Sequence, residues 1–278
     1  MNYNQITVGI VTFRSENVIF NCLKSIKKIR NIIIFDNSND EVLKKKIKSK
    51  YPKIKIILSK KNLGYGAANN KIIRNSKTPY VFILSPDVIL KKNCEKNLLK
   101  SADKLNDFSI ISPISQYKDY DLLKSSISET EEVQGFAMLI SKKKILRVGM
   151  FDEKIFLYAE ETDLCRRLKL ANEKIYINKN AKVTHLAAKS TNIGFEFDKC
   201  RNWHWMWSQV YFSKKYSNNF YVYFKFIILL LIQFIKIIFY IALFNKKEII
   251  NKTMRFSGTL NSLLGRSSWY RPKHNFDR

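Results

Sequence analysis

Five carboxylates fall within the nineteen residues from Gly149 to Arg167, GMFDEKIFLYAEETDLCRR: Asp152, Glu153, Glu160, Glu161 and Asp163. They do so in a chain whose formal net charge is +27. So dense a set of acids in so basic a chain is a candidate functional stretch. The same cluster has a plain structural use, because acids at the mouth of a helix are favoured by its dipole and its orphan N–H groups. Phe151, Ile155, Phe156, Leu157 and Tyr158 lead into the acids, and Leu164, Leu168 and Leu170 continue at helical spacing. Three further polar clusters keep them company: Asp36-Asn37-Ser38-Asn39-Asp40, the run Asn62 to Asn70, and Ser85-Pro86-Asp87. Singly, each is ordinary turn chemistry.

The elements that must position these residues are legible in order. Ile6 to Thr12 (ITVGIVT) reads as a buried strand, and Ser15 to Ile29 as a helix with Ser15 as its cap. Ile32 to Phe35 is a second strand, Glu41 to Lys50 a Lys-rich helix, and Ile54 to Leu58 a third strand. A loop at Asn62–Asn70 leads into a helix ending near Asn75, and Tyr80 to Leu84 is a fourth strand. Such alternation predicts a doubly wound α/β domain with a parallel sheet. Ligands bind such sheets outside the carboxyl ends of the strands. Asp36, the Asn62–Asn70 loop and Asp87 all belong on that edge.

Beyond Asp87 the alternation loosens. Cys94 to Leu105 is expected to be helical, Ser109 to Ser112 a short strand, and Gln116 to Glu132 a polar loop. Val133 to Ile140 reads as a buried strand whose interior Gly135 marks a close approach of ligand or backbone. Two more strands are expected at Lys174–Ile177 and Ala181–His185.

Fifty Lys and Arg against 23 Asp and Glu favour anionic partners such as phosphorylated substrates or lipid headgroups. The basic residues are mostly scattered Lys without a recognisable nucleic-acid module, so nucleic acid is not an expected partner. Cys22, Cys94, Cys165 and Cys200 form no CxxC pair, which argues against a zinc site or disulfide framework and fits a reducing compartment. The N-terminus reads as the first strand and not as a signal peptide.

The expected division is 1–192 for the α/β domain and 193–278 for an aromatic, basic helical region. Phe220 to Phe244 is long enough to span a bilayer, but Lys225, Gln233 and Lys236 interrupt it and are expected to share one stripe. A helix lying in the membrane interface, with Trp, Tyr and Lys at headgroup level, fits that pattern. A spanning helix and a core or oligomer helix are the alternatives.

These runs, in their order and spacing, resemble the family 2 glycosyltransferases of the GT-A fold, in the branch typified by rhamnosyltransferases of bacterial surface polysaccharides. The likeness covers about Ile6 to Thr191. VGIVTF is similar to the family's first strand, and IIIFDNSND to its second strand with the Asp that faces the nucleotide. NLGYGAANN resembles its Asn-x-Gly-Phe-Ala-x-x-Asn loop, and Ser85-Pro86-Asp87 sits where the family has Asp-x-Asp or Asn-Pro-Asp. GFAMLISKKKILRVGMFDEKIFLYAEETDLCRRL matches its longest motif, and VTHLAAKST its Val-x-His-x-x-x-x-Ser element.

The resemblance implies a nucleotide-binding α/β sheet with a mixed acceptor half. It implies transfer of a sugar from a nucleotide-diphosphate donor, dTDP-rhamnose-like or a UDP-sugar, to a glycan hydroxyl with inversion. Glu161 aligns with the family's catalytic Asp, with Glu160 as the fallback. Thr12, Asp36, Asn37, Gly64, Asn69, Asp87, Gln134 and Gly135 fall at donor-binding positions, and Asp163 and Tyr158 on the acceptor side. Asp163 is expected more as a residue that caps and orients its helix than as an acceptor contact. Asp87 and His185 would hold Mg²⁺ or Mn²⁺, with Ser85 replacing the family's first acid. The implied acceptor is a glycan carried on a polyprenyl diphosphate, with the protein peripheral on the inner face of the cell membrane, in contact with its anionic surface. A soluble acceptor with the last segment as a homo-oligomer interface, and a catalytically inactive sugar-nucleotide-binding protein, are the competing readings.

Overall fold

The computed structural model describes residues 1–115, 125–186, 191 and 194–272. Most of the expected loop at 116–124, and Ala187 to Ser190 of the VTHLAAKST run, lie outside the described residues. The chain divides into two compact units: Met1–Asp152 with Glu161–Asn192, and Glu153–Glu160 with Ile193–Arg278.

In the first unit β1 (Ile6–Thr12) is buried along its whole length. A strand covered on both faces is mostly apolar, as in ITVGIVT, and its two buried threonines, Thr7 and Thr12, have hydrogen-bond partners in Thr78, Ser76 and Asp36. The helix α1 (Glu16–Ser25) leads to β2 (Asn31–Asp36), α2 (Glu41–Lys50) to β3 (Lys55–Leu58), and α3 (Tyr65–Asn75) to β4 (Tyr80–Leu84). These four strands are parallel, in the order β3-β2-β1-β4. The sheet then turns mixed. After β5 (Val88–Leu90), α4 (Cys94–Leu105), β6 (Ile110–Ser115) and β7 (Ile127–Glu129), β8 (Ala137–Ser141) docks antiparallel on β4. It is followed across the sheet by β6, β9 (Ile175–His185) and β5, with β7 also on β9.

Side chains alternate between two cores. Val8, Ile10, Phe82, Leu84 and Leu139 pack with Ile19 and Leu23 of α1, Leu43 and Ile47 of α2, and Leu98 of α4. Val11, Phe35, Ile83, Met138 and Ile140 face the other way. They meet Ile72 and Ile73 of α3, Ile145 of α5 (Lys142–Val148), and Leu164 and Leu168 of α6 (Glu160–Leu170). The two-residue period of the strands thus makes a three-layer unit.

Several local expectations are corrected. α1 stops at Ser25, four residues early, and Ser15 makes no side-chain cap to it; its hydroxyl pairs with Phe13 instead. Residues 133–136 precede β8, so Gly135 stands in a turn and not inside a strand. The expected pair of strands at 174–185 is one strand, β9, whose register against β6 jumps between Asn178 and Lys182. Asn178 bridges the jump: its Oδ1 accepts from Asn180 N and Ala181 N, and its Nδ2 donates to Asn97 O and Ser101 Oγ. Leu170, expected on the apolar face of α6, is exposed.

The second unit is built on α7 (Phe195–Tyr216), α8 (Asn219–Ala242) and α9 (Lys246–Leu263). Trp203 is fully buried and its indole N–H donates to Ser257 Oγ; Trp207 donates to the Arg266 carbonyl and Trp269 to Asn261 Oδ1. The buried indoles of Trp203 and Trp207 therefore have the partners they need, and the exposed Trp269 is tied down as well. α8 buries Val222, Phe226 and Gln233 and turns Phe224, Ile228, Leu231, Ile235 and Phe239 outward. The three polar residues do not share one stripe: Lys225 and Lys236 are exposed, whereas Gln233, roughly 80° away on a helical wheel, lies inside.

Candidate active site

The carboxyl edge of the parallel strands is organised by Asp36, the last residue of β2. Its Oδ1 accepts from the hydroxyls of Thr12 and Ser38, and its Oδ2 from the N–H groups of Ser38 and Asp40. A carboxylate offers about four acceptor positions, so a direct contact of Asp36 with a ligand requires one of these bonds to yield. Asn37 extends the framework to the next loop, its Nδ2 donating to Gly64 O and its Oδ1 accepting from Leu63 N. Gly64 stands at φ +85° and ψ 179° ahead of α3, a backbone conformation that L side chains rarely adopt. Of the expected loop Asn62–Asn70, residues from Tyr65 onward are helical. Asn69 is fully buried on the first turns of α3; its Nδ2 donates to Tyr65 O, while its Oδ1 has no hydrogen-bond partner among the described residues.

Asp87, just beyond β4, is 1 % exposed, and neither carboxylate oxygen finds a hydrogen-bond donor among the described residues. His185 Nε2 lies 3.5 Å from its Oδ1. Leaving a buried carboxylate without donors is costly, and a cation relieves that cost. The pairing of β5 with β9 sets Val88 opposite His185 and so fixes the two neighbours. Mg²⁺ and Mn²⁺ take carboxylate oxygen, and Mn²⁺ also imidazole, so the pair fits the expected metal. No cluster of three or more His, Cys, Asp or Glu is formed among the described residues. Such an ion would complete its shell with water and ligand oxygens.

The turn at residues 134–136 joins this pair to the acids of α6. The Phe136 ring stacks on His185 with centroids 4.7 Å apart, and its carbonyl accepts from Ser85 N. Gly135 O accepts from the Tyr65 hydroxyl at 2.7 Å. A Cβ on Gly135 would come within 3.3 Å of Glu161 Cδ, so a glycine lets the acid close on this turn. Burial first, and the neighbouring Glu132 carboxylate second, raise the Glu161 carboxyl above the ordinary glutamate range; hydrogen bonds from its own N–H and that of Gly135 oppose this and lose. Glu132 in turn accepts from the Thr162 hydroxyl.

Asp163 is fully buried inside α6 and pairs with Arg167 Nε at 2.8 Å. Arg167 also donates to the carbonyls of Val148 and Met150, bracing the turn at Gly149. Tyr158 and Glu160 belong to the second unit. The Tyr158 hydroxyl accepts from Arg201 Nε at 2.7 Å, its ring meets Trp205 edge-on, and burial raises its phenol above the usual value. Glu160 is buried at the start of α6. Gln134 is exposed on the turn beside Gly135.

The structure thus brings together Asp87, His185, Gly135 and Glu161, and separately Thr12, Asp36, Asn37 and Gly64. It adds Tyr65, Phe136 and Arg167, which residue type alone did not mark. For Arg167 a signal existed: it stands four residues after Asp163, the spacing of a helical ion pair.

Residues 7–176 match the family model of glycosyl transferase family 2. Over 199 residues the chain is 25% identical to the low-salt glycan biosynthesis hexosyltransferase Agl10 of Haloferax volcanii, covering 62% of this chain and 64% of that relative, a little under two thirds of its length. Over 221 residues it is 27% identical to rhamnosyltransferase WbbL of Escherichia coli strain K12, covering 66% of this chain and 82% of that one. In structure it is similar to the mannosyltransferase PcManGT from Pyrobaculum calidifontis, solved in complex with GDP-Man and Mn²⁺. The TM-score is 0.61 at 11% identity, over 94% of this chain and 87% of that one.

Proposed function

We propose, from the premise that this chain belongs to glycosyl transferase family 2 and has its GT-A fold, that it transfers a sugar from a nucleoside-diphosphate donor to a hydroxyl of a glycan acceptor, with inversion. The observation that carries this reading is the turn at 134–136, which stacks on His185, the neighbour of Asp87, a buried carboxylate without donors among the described residues, and packs against Glu161, a carboxylate of raised pKa.

In the proposed reaction Glu161 removes the proton from the acceptor hydroxyl as its oxygen attacks the anomeric carbon. The bond from that carbon to the donor phosphate breaks, and the nucleoside diphosphate leaves with the electron pair. A base is strongest in this role when its pKa lies towards the working pH, which the burial of Glu161 favours. Contact with Gly135 and the raised pKa support Glu161 over Glu160 as the base. Asp87 and His185 would hold Mg²⁺ or Mn²⁺, which when bound offsets the charge of the diphosphate. The Asp36 network orders the loop beside the donor, and Asn37 and Gly64 set the start of α3, where backbone N–H groups favour anions. Tyr158 and Asp163 are proposed as residues that position the acceptor side, Asp163 through Arg167.

The exposed apolar face of α8 supports a lipid-linked acceptor and a peripheral place on the inner face of the membrane, in cell-surface polysaccharide synthesis. The names of the relatives guide the choice of donors to be tried: dTDP-rhamnose, UDP-hexoses and GDP-mannose.

Donor hydrolysis tests the reading. Purified protein with Mn²⁺ and membrane lipid extract should release nucleoside diphosphate from one donor. Glu161→Gln should lower the rate by about 10²–10⁴-fold while keeping donor binding, and Asp87→Ala should lose Mn²⁺-dependent binding. Full activity in Glu161→Gln would remove the assigned base. Donor binding without turnover under every condition would favour a sugar-nucleotide-binding protein instead.

A further inference from the structure

A second recess lies wholly within the helical unit, and none of the residues lining it is assigned to transfer. It has a volume of about 710 Å³ and is lined by five cationic side chains, Lys154, Lys214, Lys215, Arg266 and Arg271, with Glu153 as its one carboxylate. No carboxylate pairs with Lys214, Arg266 or Arg271 among the described residues.

Two of these cations are held in place by the fold. Lys214 Nζ reaches the carbonyls of Ser262 and Leu263 at 3.4 and 3.2 Å, covering the negative end of α9, which would otherwise repel an anion. Arg271 stacks 3.8 Å above the Phe156 ring and donates to the carbonyls of Ser268 and Tyr270. Arg266 is exposed at the rim. Trp207 and Tyr211, stacked with centroids 5.0 Å apart, add an apolar wall.

The recess also adjoins α8. Tyr223 of α8 lies beneath Lys214, 5.4 Å from Nζ to ring centroid, and its hydroxyl donates to Leu263 O. From there α8 presents Phe224, Ile227, Leu231 and Ile235 to solvent. A cationic recess at the foot of a long apolar face matches one kind of ligand, a charged head on an oily chain.

We propose that this recess binds the phosphate of a membrane lipid, a phosphate ester whose apolar chain lies along α8. The proposal rests on the membrane-facing reading of α8 but not on the transfer chemistry. Its phosphate is recognised by Arg266, Lys215 and Arg271, and Trp207 and Tyr211 border the head-to-chain junction, as aromatic residues do at membrane interfaces.

The test uses the full chain in two forms, Arg266→Gln with Lys215→Gln, and Lys45→Gln with Lys104→Gln as a control of equal charge on the other unit. Vesicles of phosphatidylcholine, with and without phosphatidylglycerol, report membrane binding by co-sedimentation. Soluble dihexanoylphosphatidic acid and inorganic phosphate report the head alone by calorimetry, with UDP present to fill the nucleotide site. Phosphatidylglycerol should strengthen binding. The recess variant should lose about tenfold of that gain, the control less than about twofold, with melting temperatures unchanged in both.

Dihexanoylphosphatidic acid should bind, and bind more weakly to the recess variant. If no vesicle is bound but that dependence on the recess persists, the phosphate site stands and the membrane reading of α8 falls. Equal losses in the two variants would overturn the site in favour of diffuse charge. Inorganic phosphate binding as tightly as the short-chain lipid would overturn the lipid as its source. Failure of both soluble probes would overturn the site even if phosphatidylcholine vesicles were bound.

Discussion

At the scale of single residues, the proposed base Glu161 also bears on stability. Its carboxyl is raised by burial and by Glu132, so between the ordinary glutamate range and its folded pKa the native state holds the extra proton. Stability then falls as pH rises through that window, because ionising a partly desolvated acid works against the fold. Glu161→Gln removes the charge but keeps the shape. It is expected to raise the melting temperature at neutral pH and to flatten its decline between mildly acidic and neutral pH, while transfer is lost. Scanning calorimetry across that range decides it. A lower melting temperature for Glu161→Gln would mean that the ionised carboxylate is a net stabiliser. The wild-type rate should also drop on acidification at a pH above that usual for a glutamate base. Asp87 is the complementary case, a buried acid whose oxygens find no donor among the described residues, as its proposed role at a cation requires.

At the scale of elements, close approach is what the sequence hides. α9 crosses α7 at Gly258, where an added Cβ would fall 2.2 Å from the Trp203 carbonyl oxygen and 3.0 Å from its carbon. Both are backbone atoms and cannot rotate away. Gly258→Ala is therefore expected to force the helices apart at a cost of about 1–3 kcal/mol or more, although alanine is the better helix former. Urea unfolding followed by tryptophan emission should move to lower denaturant, since Trp203 is buried at the contact. An unchanged midpoint would show that the helices cross elsewhere. β9 makes the same point for strands. Its polar centre, Asn178-Lys179-Asn180, reads as a break. Yet the strand continues because the Asn178 side chain supplies the bonds that the register jump removes.

At the scale of the whole molecule, charge and apolar surface act together. A chain with net charge +27 keeps an apolar helix of 24 residues, about 36 Å long at 1.5 Å per residue, that packs on α7 and α9 along one face and leaves the other exposed. Its outer face holds Phe224 at 60% and Ile235 at 64% exposure, part of an apolar face of the kind that marks membrane or protein contacts. Phe224→Glu with Ile235→Glu should abolish co-sedimentation with phosphatidylglycerol-containing vesicles without lowering the melting temperature, because neither residue is buried. If vesicle binding survives while the mass in solution drops from an oligomer to a monomer, the face is an interface between copies.

The sequence alone determined the sheet's parallel half, because strands buried on both faces are mostly apolar and their crossovers carry a helical period. It also marked Asp36, Asp87, His185 and Glu161 as candidates through the resemblance of their motifs. It could not reveal that Asp36 spends its acceptor positions on Thr12, Ser38 and Asp40, or that Asp163 braces a turn through Arg167. Nor could it separate Gln233 from Lys225 and Lys236 on α8, since a residue near the edge of a helical face is buried or exposed by its neighbours. Hydrogen-bond partners, close backbone approach and the neighbours that desolvate an acid are all long-range relations. They arise only when distant segments meet, so the tertiary structure decided them.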